Sequence, residues 1–156
     1  MSEHLRARSA RYEILIPSEN ISSIGVWNEA LRPLKGSLRL DRGGGPLVLD
    51  TRVMLGLSDP KREPPCVSIE WQSSDGERRA TLIVDAVEQI VDCDEQTLLS
   101  LPRAPRDARR FFDRACYDSE LGMFRLRLRP DLEVPLSSYA ERRRFRSAVV
   151  TQATGA

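Results

Sequence analysis

Two apolar runs closed by aspartate, LVLD at 47–50 and LIVD at 82–85, are the first places to look for chemistry in this chain. The other is the glycine-rich stretch RGGGP at 42–46. Paired aspartates can work as acid and base, because two carboxylates at close range share a proton instead of both ionising. An aspartic-protease dyad follows each Asp with Thr or Ser and then Gly. Here Asp50 is followed by Thr51 and Arg52, and Asp85 by Ala86 and Val87. Both glycines are missing, and Arg52 would hold Asp50 ionised. Each aspartate is therefore expected to end a strand and tie down the turn after it.

A phosphate-cradling loop needs its glycines between a strand and a helix, with a lysine and a hydroxyl converging on the phosphates. Gly43 to Gly45 instead precede Pro46, which removes an N–H donor, and the strand-like LVLD. They fit a hairpin turn that needs positive φ. His4 is the only histidine and lies in the leader, so a Ser–His or Cys–His pair has no base and a His-based metal site no ligands. Asp92, Asp94 and Glu95 lack the spaced oxygen ligands of a calcium loop and suit a polar turn. Cys66, Cys93 and Cys116 are widely spaced with no CxxC pair, which suits a reducing compartment. No catalytic residue, cofactor site or metal site is expected, and the protein is read as cytoplasmic and non-enzymatic.

The elements that must position these residues are short and β-rich. Forty per cent hydrophobic and 30% charged residues describe a folded soluble chain, and a net charge of +1 gives no global pull towards nucleic acid or anionic lipid. The leader, MSEHLRARSARYE, holds no apolar run, so no signal peptide is expected, and no stretch approaches the length of a membrane span. YEILI, LKGSLRL, PLVLD, VSIEW, ATLIVD, EQIVD and MFRLRLR have strand length and strand chemistry. Turn signals stand at RGGGP, SDPKREPP, SSDGE and SELG. TRVMLGL and DEQTLLSL read as short helices, and PRDARRFFDRA as either helix or strand. The aromatics Tyr12, Trp27, Trp71, Phe111, Phe112, Tyr117, Phe124, Tyr139 and Phe145 lack the basic–aromatic cadence of an RNA-binding strand, and most are assigned to the core. Residues 1–10 read as a loose leader, 11–136 as the folded domain and 137–156 as a basic tail around Arg142–Arg146.

RGGGPLVLDTRVMLGL resembles the signature of CheW-like domains, the adaptor modules of bacterial chemosensory arrays. Arg42, Gly43, Asp50, Arg52, Gly56 and Leu57 stand at matching spacings. RRATLIVDAVEQIV followed by DCDEQTLLSLP is similar to a second stretch of the family. YEILIPSENISSI and FFDRACYDSELGMFRLRLRPDL resemble its opening strand and closing hairpin. The likeness covers residues 6–133 approximately and marks a divergent member, with Leu47 where the family usually has proline and a shorter linker between Ile24 and Leu38.

The resemblance implies an all-β fold of two small five-stranded β-barrel subdomains packed side by side, with short helices and a hydrophobic groove between them. It also implies a scaffold or adaptor in chemotaxis, or in a related motility or pilus pathway. One surface would dock the regulatory domain of a CheA-type histidine kinase, and the groove would take the cytoplasmic tip of a chemoreceptor. By position, Ile21, Ile24, Thr81 and Val84 become candidate groove contacts and Arg42 an exposed arginine on the receptor side. Asp50, Arg52 and Asp85 could be interfacial, with turn anchoring the stronger expectation. Alternatives are the same fold diverged to bind another signalling protein, such as a response regulator, and, more distantly, a small nucleic-acid-binding barrel using the basic tail.

Overall fold

The computed structural model describes residues 2–28, 39–40, 47–56, 65–94, 97–101 and 111–132. Arg42, the glycines at 43–45 and the tail from 137 onward lie outside the described residues. The strands are β1 (Ser2–Ser9), β2 (Tyr12–Pro17), β3 (Ile21–Trp27), β4 (Arg39–Leu40), β5 (Leu47–Asp50), β6 (Cys66–Gln72), β7 (Arg79–Val84), β8 (Ala86–Cys93), β9 (Leu99–Ser100), β10 (Phe112–Asp118) and β11 (Met123–Leu128). A 3-10 turn, Ser18–Asn20, follows β2, and the one-turn helix α1, Thr51–Met54, follows β5.

The fold is all-β and built on two sheets. One has six strands in the order β8-β1-β2-β11-β10-β9, and the other five in the order β3-β6-β7-β5-β4. The middle of the chain makes the five-stranded sheet, and its two ends together make the six-stranded one. Neither sheet closes into a barrel among the described residues.

The six-stranded sheet outnumbers the expected five because the loose leader is itself a strand. β1 lies between β2 and β8, antiparallel to both. Leu5, Ala7 and Ser9 are buried along it, while Arg6 and Arg8 alternate between them. His4, on the other face, is also buried and sits 3.1 Å from the Ser2 carbonyl through Nδ1. The period-2 pattern of a half-buried strand is present in LRARS. Its inner positions after Leu5 are only Ala and Ser, which fill space beneath neighbouring strands without reading as apolar.

A shared core lies between the sheets. Leu5, Ala7, Ile14, Ile16, Leu126 and Leu128 of the six-stranded sheet join Leu49, Ile69, Trp71, Ala80, Leu82 and Val84 of the other. Phe111, Phe112 and Met54 complete it. Two smaller clusters back the outer faces: Leu15, Cys93 and Leu98 on one side, Val48, Cys66 and Ile83 on the other. The chain crosses between sheets at Ser18–Asn20, where Asn20 Nδ2 donates to the Gln72 carbonyl (3.0 Å), and at Asp85, directly between β7 and β8.

Candidate protein-docking surface

Asp50, Arg52 and Asp85, three of the residues singled out in the sequence, meet at the β7–β8 crossover. Asp50 is the N-cap of α1, its Oδ1 accepting from the Arg52 backbone N–H at 2.9 Å, which satisfies a donor the helix cannot. Arg52 Nη2 donates to Asp85 Oδ2 (2.8 Å), and the same oxygen accepts from the Ala10 backbone N–H (2.7 Å). Asp85 N–H in turn donates to the Arg8 carbonyl at 2.9 Å. Beneath them the buried Thr51 hydroxyl donates to the Ile83 carbonyl (2.7 Å) and lies 2.8 Å from Ser9 Oγ. Ala10 holds φ of 54°, a left-handed conformation rare for a residue with a Cβ, at the turn this clasp grips. Gly56, with φ of 72°, ends α1 by donating to the Val53 carbonyl (2.9 Å). The clasp thus joins the β1–β2 turn of one sheet to α1 and the end of β7 in the other. Asp50 through Oδ1 and Asp85 through Oδ2 each anchor a turn by these bonds.

The groove candidates separate by depth. Val84 is fully buried in the shared core, and Thr81 is nearly so, its hydroxyl donating to the Glu70 carboxylate at 2.9–3.0 Å. Neither side chain reaches the surface. Ile21 is half-buried against the core, and Ile24 is 49% exposed. β3 is an edge strand, and the pairing register shows what its apolar residues continue. Ile24 stands opposite Ile69 and through it Leu82, and Val26 opposite Val67 and Val84. Each row starts in the core and runs out to water, Val26 being 68% exposed.

The other sheet does the same at its own edge. Ile16, Leu5 and Ile90 form a row across β2, β1 and β8, of which the first two are buried and Ile90 is exposed. β8 packs against β6, the neighbour of β3. The margin of the core between the two sheets therefore carries Ile24, Val26 and Ile90, apolar side chains that would normally be covered.

A second apolar patch lies on the β10–β11 hairpin, with β1 and β2 between it and β8. Tyr117 and Phe124 stack with ring centroids 5.0 Å apart at 58°, and both are exposed, as is Leu121 in the turn. These two aromatics are not core residues, although Trp71, Phe111 and Phe112 are. Phe124 shares a face with buried Leu126 and Leu128, so nothing in the FRLRLR pattern separates it from them. Only the end of the sheet does. Val26, Ile90, Tyr117, Leu121 and Phe124 were all silent in the sequence for this reason.

Charge on the outer face of the six-stranded sheet is internally matched. Glu13, only 1% exposed, lies between Arg6 (3.8 Å) and Arg125, whose Nε donates to it. Arg6 also reaches Glu88 (2.7 Å), and Arg125 reaches Asp118 (2.8 Å). Arg127 forks onto Asp113 with bonds of 3.0 and 2.6 Å. Burial alone would lower the Arg125 pKa, but the hydrogen bond and charge of Glu13 outweigh it and the value is raised. The Cys93 and Cys116 thiols beside this ladder are pushed up, chiefly by burial, which keeps them in the unreactive protonated form. Among the described residues, no group of His, Cys, Asp and Glu could hold a metal ion, and no helix is long and apolar enough to cross a membrane.

Two interlocked sheets, the second inserted between the strands of the first and clasped through Asp50, Arg52 and Asp85, define a CheW-like fold. Among the solved structures similar to it is the scaffolding protein TtCheW from Thermoanaerobacter tengcongensis, at a TM-score of 0.60. The two are 15% identical in sequence, over 82% of this chain and 88% of that one. No protein-family model and no curated protein matches the sequence.

Proposed function

We propose that this protein is a non-enzymatic cytoplasmic adaptor of a bacterial chemosensory system, joining a chemoreceptor tip to the regulatory domain of a CheA-type histidine kinase. The observation that carries this is the pairing of a CheW-like fold with two separated apolar patches. An adaptor must hold two partners at once, and neither contact need be tight, because assembly into one array raises effective concentration. Ile21 and Ile24, joined by Val26 and Ile90, are the proposed receptor contacts, with Thr81 and Val84 supporting them from below. Tyr117, Leu121 and Phe124 have the aromatic composition of a protein-binding hot spot and are the proposed second surface. Arg42 remains a proposed receptor-side contact. Asp50, Arg52 and Asp85 hold the sheets in the relation that both surfaces require.

Calorimetric titration against the kinase regulatory domain and, separately, against a receptor-tip helical hairpin from the same genome tests this. Ile24→Asp is expected to weaken receptor binding by about tenfold or more and Tyr117→Ala to weaken kinase binding similarly. A folded protein that gives no heat with either partner would sink chemosensory coupling. The low identity to TtCheW favours one second proposal, the same fold turned to another signalling protein such as a response regulator. Arg6, Arg52, Arg125 and Arg127 are bound to carboxylates, which counts against a phosphate-tracking basic stripe.

A further inference from the structure

Sheet edges are open hydrogen-bonding templates, and folded proteins guard them with charge, proline, bulges or short length. Among the described residues the two sheets have four edges, of which three are guarded. β4 and β9 are two residues long. β8 carries Glu88 and Asp92, and Glu88 is held by Arg6 and Arg8 across the strand. β3 is different. Its seven residues, ISSIGVW, include no charge and no proline, and five in a row, Ser22 to Val26, are exposed. Its one irregularity is a register shift between Ile21 and Ser23, which leaves Ser23 to Trp27 in regular register with β6.

We infer that β3 pairs with β3 of a second copy of this chain, antiparallel across a two-fold axis at Ile24. The sequence of the strand is what selects a second copy as the occupant. A register centred on Ile24 sets Ile24 against its own counterpart, Val26 beside Ser22 and Gly25 beside Ser23. Apolar residues meet at the axis on the face that continues the core, and small residues meet on the other. That second face stays flat because Gly25 is backed by Ser68, whose Oγ would lie 3.3 Å from a Cβ added there. No like charges oppose each other in the pair, which is the feature that most often forbids self-pairing of an edge. The contact is isologous and therefore closes at two chains instead of growing into a fibre. Two five-stranded sheets become one of ten strands.

Sedimentation velocity on the isolated chain, from micromolar to millimolar concentration, should show a monomer–dimer equilibrium. Hydrogen exchange should show amides of Ser23 to Val26 gaining protection as concentration rises. Ile24→Lys places two ammonium groups opposite each other at the axis, and Ile24→Glu two carboxylates. Each alone is expected to weaken dimerisation about tenfold, and an equimolar mixture of the two should recover it. Ile24 is already half in water, so both variants should fold, and circular dichroism verifies this. A wild-type chain that stays monomeric at millimolar concentration would overturn the inference. So would a dimer that Ile24→Lys leaves unchanged, or two charged variants that fail to rescue each other. The assay contains neither kinase nor receptor, so its failure leaves the adaptor proposal standing. Because Ile24 and Val26 serve both, a receptor tip and a second copy exclude each other on β3, and receptor binding by Ile24→Asp is measured at concentrations where the wild-type chain is monomeric.

Discussion

The two arginine–carboxylate networks of this protein use the same bond for different ends. In the crossover clasp, Arg52 and Asp85 are each about one-fifth exposed, and Asp85 also bonds the backbone of Ala10 and Arg8. In the ladder on the six-stranded sheet, Glu13 is buried with two guanidinium groups as its neighbours. Removing one partner from the clasp exposes the other to water that is already close. Removing Glu13 takes away the buried carboxylate that two guanidinium groups share and leaves each with one acidic partner, Arg6 with Glu88 and Arg125 with Asp118. Burial, not the number of bonds, sets what such a network contributes.

Glu13→Ala is accordingly expected to have the largest effect, lowering unfolding free energy by about 2 kcal/mol through the lost bonds to a buried carboxylate, read by chemical denaturation. Thr51→Val should cost about 1.5 kcal/mol, because it leaves the Ile83 carbonyl without its buried hydroxyl donor and keeps the side-chain volume. Arg52→Ala should cost about 1 kcal/mol or less, given its exposure. If Arg52→Ala proved as damaging as Glu13→Ala, the distinction between the two networks would fail. The smallest effect is expected at Asp75, in the SSDGER turn. Its carboxyl is held below the usual range, chiefly by the Ser73 hydroxyl and then by the Glu77 N–H. A folded pKa below the unfolded one adds stability above the ordinary aspartate range and loses it as pH falls through the folded value. Asp75→Asn should therefore flatten the acid limb of a stability–pH curve slightly and leave other regions alone.

Much of the fold was legible because its strands obey period 2 and its turns carry Gly, Asp and Pro. YEILI, VSIEW, ATLIVD and FRLRLR all became strands, and TRVMLGL supplied α1. Of DCDEQTLLSLP, the described residues show β8 running on to Cys93, Leu99–Ser100 paired with β10, and between them a 3-10 turn at Thr97, whose N–H donates to the Asp94 carbonyl at 3.0 Å. The leader was misread because Ala7 and Ser9 fill the inner face without apolar bulk. The spacing of Asp50, Arg52 and Asp85 pointed to one locality, and they meet there. Exposure was not legible. Ile24, Val84 and Phe124 are equally apolar in sequence, and only their place in the sheet, on an edge strand, in the middle or at a strand's end, decides which of them meets water.

Arg125 bonds a residue 112 positions earlier in the chain, and the parallel β2–β11 pair around it joins the first strands to the last. A ribosome delivers these partners at very different times. All five strands of the inserted sheet, residues 21 to 84, are available before β11 has been made, and β1 can already pair with β2 and β8, whereas β2 must wait for β11 to gain its second neighbour. Closing so long a loop is slow and comes late. Glu13 should therefore form its contacts after the rate-limiting step, so that Glu13→Ala speeds unfolding several-fold in stopped-flow measurements and leaves refolding nearly unchanged.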